Sequence, residues 1–188
     1  MNRLFLSAAV VAAVLGIGAA DAGAQARSVA EPNTVTATPF LGVSFGASHG
    51  AESSLAIGGA IGYDWTRRLG FEFEIGHVFD VAGDSANLDW SLTNFSGNAV
   101  VHFDAPHVTP YATAGLGWEL SSPGDDDDAI LDLRIPSDTE IAWNFGGGVK
   151  YPINQRLLAR ADLRRFQVND LAPDHWRFYG GLTFFITR

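Results

Sequence analysis

From Thr38 onward, apolar and polar residues exchange places at every second position, in runs of about ten residues. The last run, 175–188, sets Trp176, Phe178, Gly180, Leu182, Phe184 and Ile186 on one face and Tyr179, Gly181 and Thr183 on the other. In the run 69–79, Leu69, Phe71, Phe73, Ile75 and Phe79 oppose Gly70, Glu72, Glu74 and Gly76. A period of two over such lengths specifies β-strands that are apolar on one side. Six more segments obey the same rule, at about 38–47, 55–65, 91–103, 108–120, 139–151 and 156–167, so the pattern predicts eight strands.

The connections alternate in length. Residues 66–68, 104–107 and 152–155 are short polar turns, whereas 48–54, 80–90, 121–138 and 168–174 are longer. Short turns on one rim, long loops on the other and an even strand number describe a transmembrane barrel with both termini on the short-turn side. A barrel in water would turn its polar face outward and its apolar face inward; in lipid the assignment inverts.

Aromatic placement chooses between the two. Trp65, Phe103 and Tyr151, with Phe40, fall at strand ends near the lead-in or the short turns, and Phe79, Trp118, Trp143 and Trp176 near the long loops. Two belts at the two membrane–water interfaces result, where an amphipathic ring is favoured. The expected fold is all-β: an eight-stranded antiparallel up-and-down transmembrane β-barrel over residues 38–188.

The N-terminus adds an address. Arg3 precedes an apolar run from Leu4 to about Ala20, and Ala24-Gln25-Ala26 fits the small-residue cleavage rule of a secretory signal peptide. Residues 1–26 are therefore expected to be removed, and 27–37, polar and containing Pro32, to form a periplasmic lead-in. A retained membrane anchor is the alternative, disfavoured by the shortness of the run.

Composition changes the picture in three places. The absence of Cys removes disulfide frameworks and thiolate metal sites. A formal net charge of −9 without a basic cluster argues against nucleic acid as a partner. The 21 glycines fall largely inside the alternating runs, where curved sheets use them for bending and close packing.

The chain resembles the small eight-stranded outer-membrane barrel family that includes the OmpA and OmpX transmembrane domains. The resemblance rests on the strand pattern, on Tyr111–Gly117 (YATAGLG), on Arg160–Arg165 (RADLRR) and on the terminal strand. Members of that family carry a C-terminal assembly signal of polar-x-Gly-x-x-aromatic-x-apolar form, matched here by Tyr179, Gly181, Phe184 and Ile186. Ile186 stands where the terminal aromatic is usual, and Thr187-Arg188 extend beyond it. The resemblance implies residence in the bacterial outer membrane, contact with its lipids and lipopolysaccharide, and insertion by the barrel-assembly machinery. No peptidoglycan-binding domain, and so no cell-wall tether, is expected.

Three groups of residues are candidates for chemistry. Glu72, Glu74, Glu119, Lys150, Arg160, Asp162 and Arg164 share the polar face and are expected to form an ionic network inside the barrel, because unpaired buried charge is costly. Such a network is a polar plug that sets barrel shape or, alternatively, a gated ion path. The run Asp125–Asp128, with Asp132 and Asp138 nearby, lies in the longest loop; it lacks the spacing of a calcium-binding loop and reads as a solvated tip, with binding of Ca²⁺ or of lipopolysaccharide-bridging Mg²⁺ as the alternative. His77, on the outward face beside Ser91 and Thr93, is the one candidate for a lipid A-modifying dyad.

Of the other histidines, His102 falls on the polar face of the run 91–103, and His49, His107 and His175 are assigned to turns or loops. The expectation is a non-enzymatic barrel without cofactor or metal, serving membrane integrity or surface interaction through a loop partner the sequence does not name. A narrow pore is the alternative, and a barrel enzyme comes third.

Overall fold

The computed structural model describes residues 30–46, 53–79, 90–123, 139–168 and 174–187. Eight strands run in order: β1 (Thr34–Phe45), β2 (Ser54–Asp64), β3 (Leu69–Val78), β4 (Trp90–His102), β5 (Thr109–Pro123), β6 (Thr139–Asn154), β7 (Leu157–Val168) and β8 (His175–Thr187). Each pairs antiparallel with the next, and β8 returns to β1, closing the barrel. Closure leaves no strand edge, so the sheet satisfies its own backbone groups, which hydrocarbon demands. The expected signal peptide, 1–26, and the run Asp125–Asp128 lie outside the described residues.

The alternation read from the sequence fixes the two faces. Leu116 is 68% exposed and Phe73 55%, whereas Glu74, Arg164 and Arg177 are 0% exposed. Large apolar side chains outside and ions inside invert the rule for proteins in water and fit a barrel wall facing lipid. Trp65, Phe103, Trp118, Trp143 and Tyr151 all point outward and are exposed; Phe79 and Trp176 are half-buried beside the long loops.

Three details differ from the expectations. β1 begins at Thr34, inside the stretch read as a lead-in, because Thr34, Thr36 and Thr38 already alternate as buried inward residues with Val35 and Ala37. That longer strand puts Phe40 at mid-strand on the inward face. It is 4% exposed and stacks on Tyr179 at 4.2 Å between ring centroids, so it belongs to the lumen and not to an aromatic belt. His175, assigned to a loop, opens β8 and is buried, stacked on Phe166 at 5.1 Å.

Inward glycines make room for inward side chains. A Cβ at residue 148 would lie 2.6 Å from the Tyr111 hydroxyl, and one at residue 58 would collide with the Phe40 ring. Tyr111 and Phe40 thus each sit over a glycine of another strand, which helps so narrow a barrel hold large inward groups. The β1–β8 closure carries Pro39, which has no N–H to offer the ladder. No register partner in β8 pairs with Thr38 or Pro39, and a hydroxyl–hydroxyl bond from Thr38 to Thr183, 2.8 Å, stitches the lumen side there.

Candidate functional site

The centre of the lumen is an ionic lattice built by β3, β7 and β8. Alternation at Arg160, Asp162 and Arg164 sends all three side chains inward from β7. Glu72 and Glu74 do the same from β3, which lies four strands away on the opposite wall. Arg160 donates through both terminal nitrogens to Glu72, one bond at 3.0 Å, and also to Asp162 at 2.7 Å. Arg164 donates to Glu72 at 2.8 Å and to Asp162 at 3.0 Å, and its third nitrogen lies 3.0 Å from Glu74. Forked guanidinium–carboxylate contacts of this kind are the strong form of the charged hydrogen bond.

Aromatic residues complete the lattice. The Tyr111 hydroxyl donates to Asp162 and accepts from Arg160 Nε at 2.7 Å. Tyr179 donates to Glu74 at 2.9 Å, and its ring lies against the guanidinium groups of Arg160 and Arg164. Arg177 of β8 donates to Glu74 and, at 2.6 Å, to Asn94 on the opposite wall. Its guanidinium stacks on Phe166 at 4.2 Å, a cation–π contact in a desolvated site.

Sequence reasoning left out Arg177, Tyr111, Phe166 and Phe40 from this lattice. The signal for Arg177 was present, since its position shares a face with Tyr179, Gly181 and Thr183. The aromatic members were harder to place, because a ring on an alternating strand reads equally as belt or lumen.

Two members of the expected network stand apart from the lattice. Lys150, near the short-turn end, donates to His102 Nε2 at 2.9 Å, and His102 Nδ1 is 4.0 Å from Asp64 without a hydrogen bond. Glu119, near the long-loop end, is buried beside Asn94 on one strand and opposite Glu140 on the next. Its Oε1 and the Asn94 Nδ2 lack hydrogen-bond partners. Two further lumen residues, Asn144 and Asn98, bond to each other at 2.9 Å.

Of the residues named for a terminal assembly signal, Tyr179 points into the lumen, Gly181 faces β1, and Phe184 and Ile186 point outward. His77 pairs across to Thr93, Nδ1 to Oγ1 2.8 Å, on the outward face, with the Phe79 ring edge-on at 4.5 Å. Among the described residues no group of three or more His, Cys, Asp and Glu side chains is arranged to hold a metal ion.

Comparisons with known proteins agree with this architecture. The fold is similar to the N-terminal β-barrel domain of OprF from Pseudomonas aeruginosa, at 22% identity and a TM-score of 0.59, covering 82% of this chain and 98% of that one. It is similar to the Neisserial surface protein NspA, at 19% identity and a TM-score of 0.63, covering 80% and 95%. It is also similar to Ail of Yersinia pestis, solved with the heparin analogue sucrose octasulfate, at 12% identity and a TM-score of 0.53, covering 82% and 99%.

At these identities the likeness is one of fold. No curated protein matches the sequence. The family model of the outer membrane protein beta-barrel domain matches residues 7–184. With its closed strands and lipid-facing wall, the chain belongs to that family of bacterial outer-membrane barrels.

Proposed function

We propose that the protein is a non-enzymatic, non-conducting barrel that supports the outer membrane structurally and meets its surroundings through the long loops. One observation carries this reading: Arg160 and Arg164 on one wall are bonded to Glu72 on the opposite wall, so the ionic lattice crosses the lumen. An ion path would have to break forked, water-excluded pairs to open, and breaking a buried pair is costly. The test is recording across a planar bilayer. The wild-type protein is expected to give no unitary conductance, while Arg160→Ala with Arg164→Ala opens a measurable path. Steady unitary currents from the wild-type protein would instead make it a narrow pore.

Residues 1–26 serve as a cleaved signal peptide in this reading, and the mature protein begins at Arg27, which its intact mass would show. Lipids and lipopolysaccharide surround the wall, and the barrel-assembly machinery reads the strand containing Phe184 and Ile186. Ail binds a sulfated polyanion analogue, but here the longest loop carries Asp125–Asp128, Asp132 and Asp138 against the single base Arg134. Like charge repels a polyanion, so the loop partner is cationic or neutral. Lipid A of cells expressing the protein is expected to keep its mass, with or without His77→Ala.

A further inference from the structure

The outward wall is not uniformly convex. Gly97, Ala99 and Ala114 form a floor of small residues on β4 and β5. Phe71 and Phe73, with Ile61 and Tyr63 behind them, rise on one side and Leu116, Trp143 and Phe145 on the other, bordering a shallow, open apolar groove of about 1000 Å³. Register makes it continuous: Phe73 faces Gly97, Gly97 faces Leu116 and Leu116 faces Trp143, with Phe71, Ala99, Ala114 and Phe145 aligned in the next outward row. A Cβ added at residue 97 would meet nothing within 4 Å, so the floor is open space and not a packed contact. Its size falls at the upper end of small-ligand pockets.

Beyond the groove, along β3, the chain turns through charged residues. β3 runs from Phe73 and Phe71 into the turn 65–68, about 10 Å below Phe71 at strand rise. That turn is held to the end of β4 by a bond from His102 N to the Arg68 carbonyl, 2.7 Å. Arg68 is engaged by Asp104 at 2.8 Å, whereas the neighbouring Arg67 is exposed and has no partner among the described residues. Trp65, Tyr63 and Phe103 mark the same level as the membrane–water interface on the short-turn, periplasmic side.

We infer that this groove and the Arg67–Arg68 turn together form a binding site for one anionic glycerophospholipid of the periplasmic leaflet. An acyl chain lies over Gly97, Ala99 and Ala114, and the phosphate meets Arg67 with Arg68 beside it. The apolar lining and small-residue floor of the groove suit a hydrocarbon chain. The exposed Arg67 guanidinium in the turn beyond it favours a negative headgroup, since each basic side chain near an anionic lipid surface adds a favourable contribution. A zwitterionic lipid fits the groove but gains less from the turn.

Native mass spectrometry of the refolded full-length barrel, released from detergent containing equal phosphatidylglycerol and phosphatidylcholine of matched chains, tests this. The wild-type protein is expected to retain one phosphatidylglycerol about fivefold over phosphatidylcholine. Arg67→Gln brings the two to near equality while leaving the total retained lipid similar. Gly97→Leu with Ala114→Leu removes retained lipid of both kinds, with heat-modifiable migration on a gel showing that the barrel still closes. Equal retention of the two lipids by the wild-type protein overturns the proposal. So does undiminished retention after the groove is filled, or a lipid-free dimer, which would make the groove an interface between two copies.

Discussion

The centre of the lumen and its short-turn end solve the same problem differently. In the centre, each of Arg160 and Arg164 reaches both Glu72 across the barrel and Asp162 along its own strand. At the short-turn end Lys150 is also buried, yet its hydrogen bond goes to the His102 imidazole, whose Nδ1 is 4.0 Å from the Asp64 carboxylate. A planar guanidinium bridges two acceptors at fixed angles, whereas an ammonium is a point charge that contacts what lies nearest. The lesson is that an inward charge stabilises this barrel when a strand on the opposite wall completes it.

The largest expected effect breaks the centre. Arg164→Ala takes one of two cationic partners from each of Glu72, Glu74 and Asp162, and removing one partner of a buried network costs about 3–5 kcal/mol. Urea unfolding of the barrel refolded into vesicles measures it. Gly148→Ala comes next. The added methyl crowds the Tyr111 hydroxyl and the Ala161 carbonyl, overpacking worth about 1–3 kcal/mol in the same assay.

Lys150→Met sharpens the contrast, because it exchanges a cation lacking a bonded carboxylate for an apolar chain of similar reach. Its expected cost is within about 1 kcal/mol, since hydrophobic replacement of poorly paired buried charge is often neutral. A loss as large as that of Arg164→Ala would erase the distinction between the two regions. Asp104→Asn, which breaks the exposed pair with Arg68, is the smallest change, at most about 1 kcal/mol and diminished by salt.

The strand pattern was legible because lipid outside and ions inside leave each residue one acceptable face, and a slip of one position would reverse them all. For the same reason Glu72, Glu74, Arg160, Asp162 and Arg164 could be assigned to the lumen from parity alone. Parity says nothing about height or about which wall faces which. That is why parity alone groups Lys150 and Glu119 with a lattice to which neither contributes an ion pair among the described residues. The start of β1 was obscured because its outward positions, Val35 and Ala37, are small beside the threonines between them. With that start misplaced, Phe40 looked like an end residue and its ring like part of a belt.

The β3–β7 braces have a consequence for how the protein comes into being. Their two halves lie 88 and 92 residues apart in sequence and meet only when the wall has curved fully round. Until then Glu72 and Glu74 line an open trough and keep their hydration, as do the arginines opposite. The lumen is thus the last compartment of the molecule to dry, and zipping β1 onto β8 is the step that wrings it out.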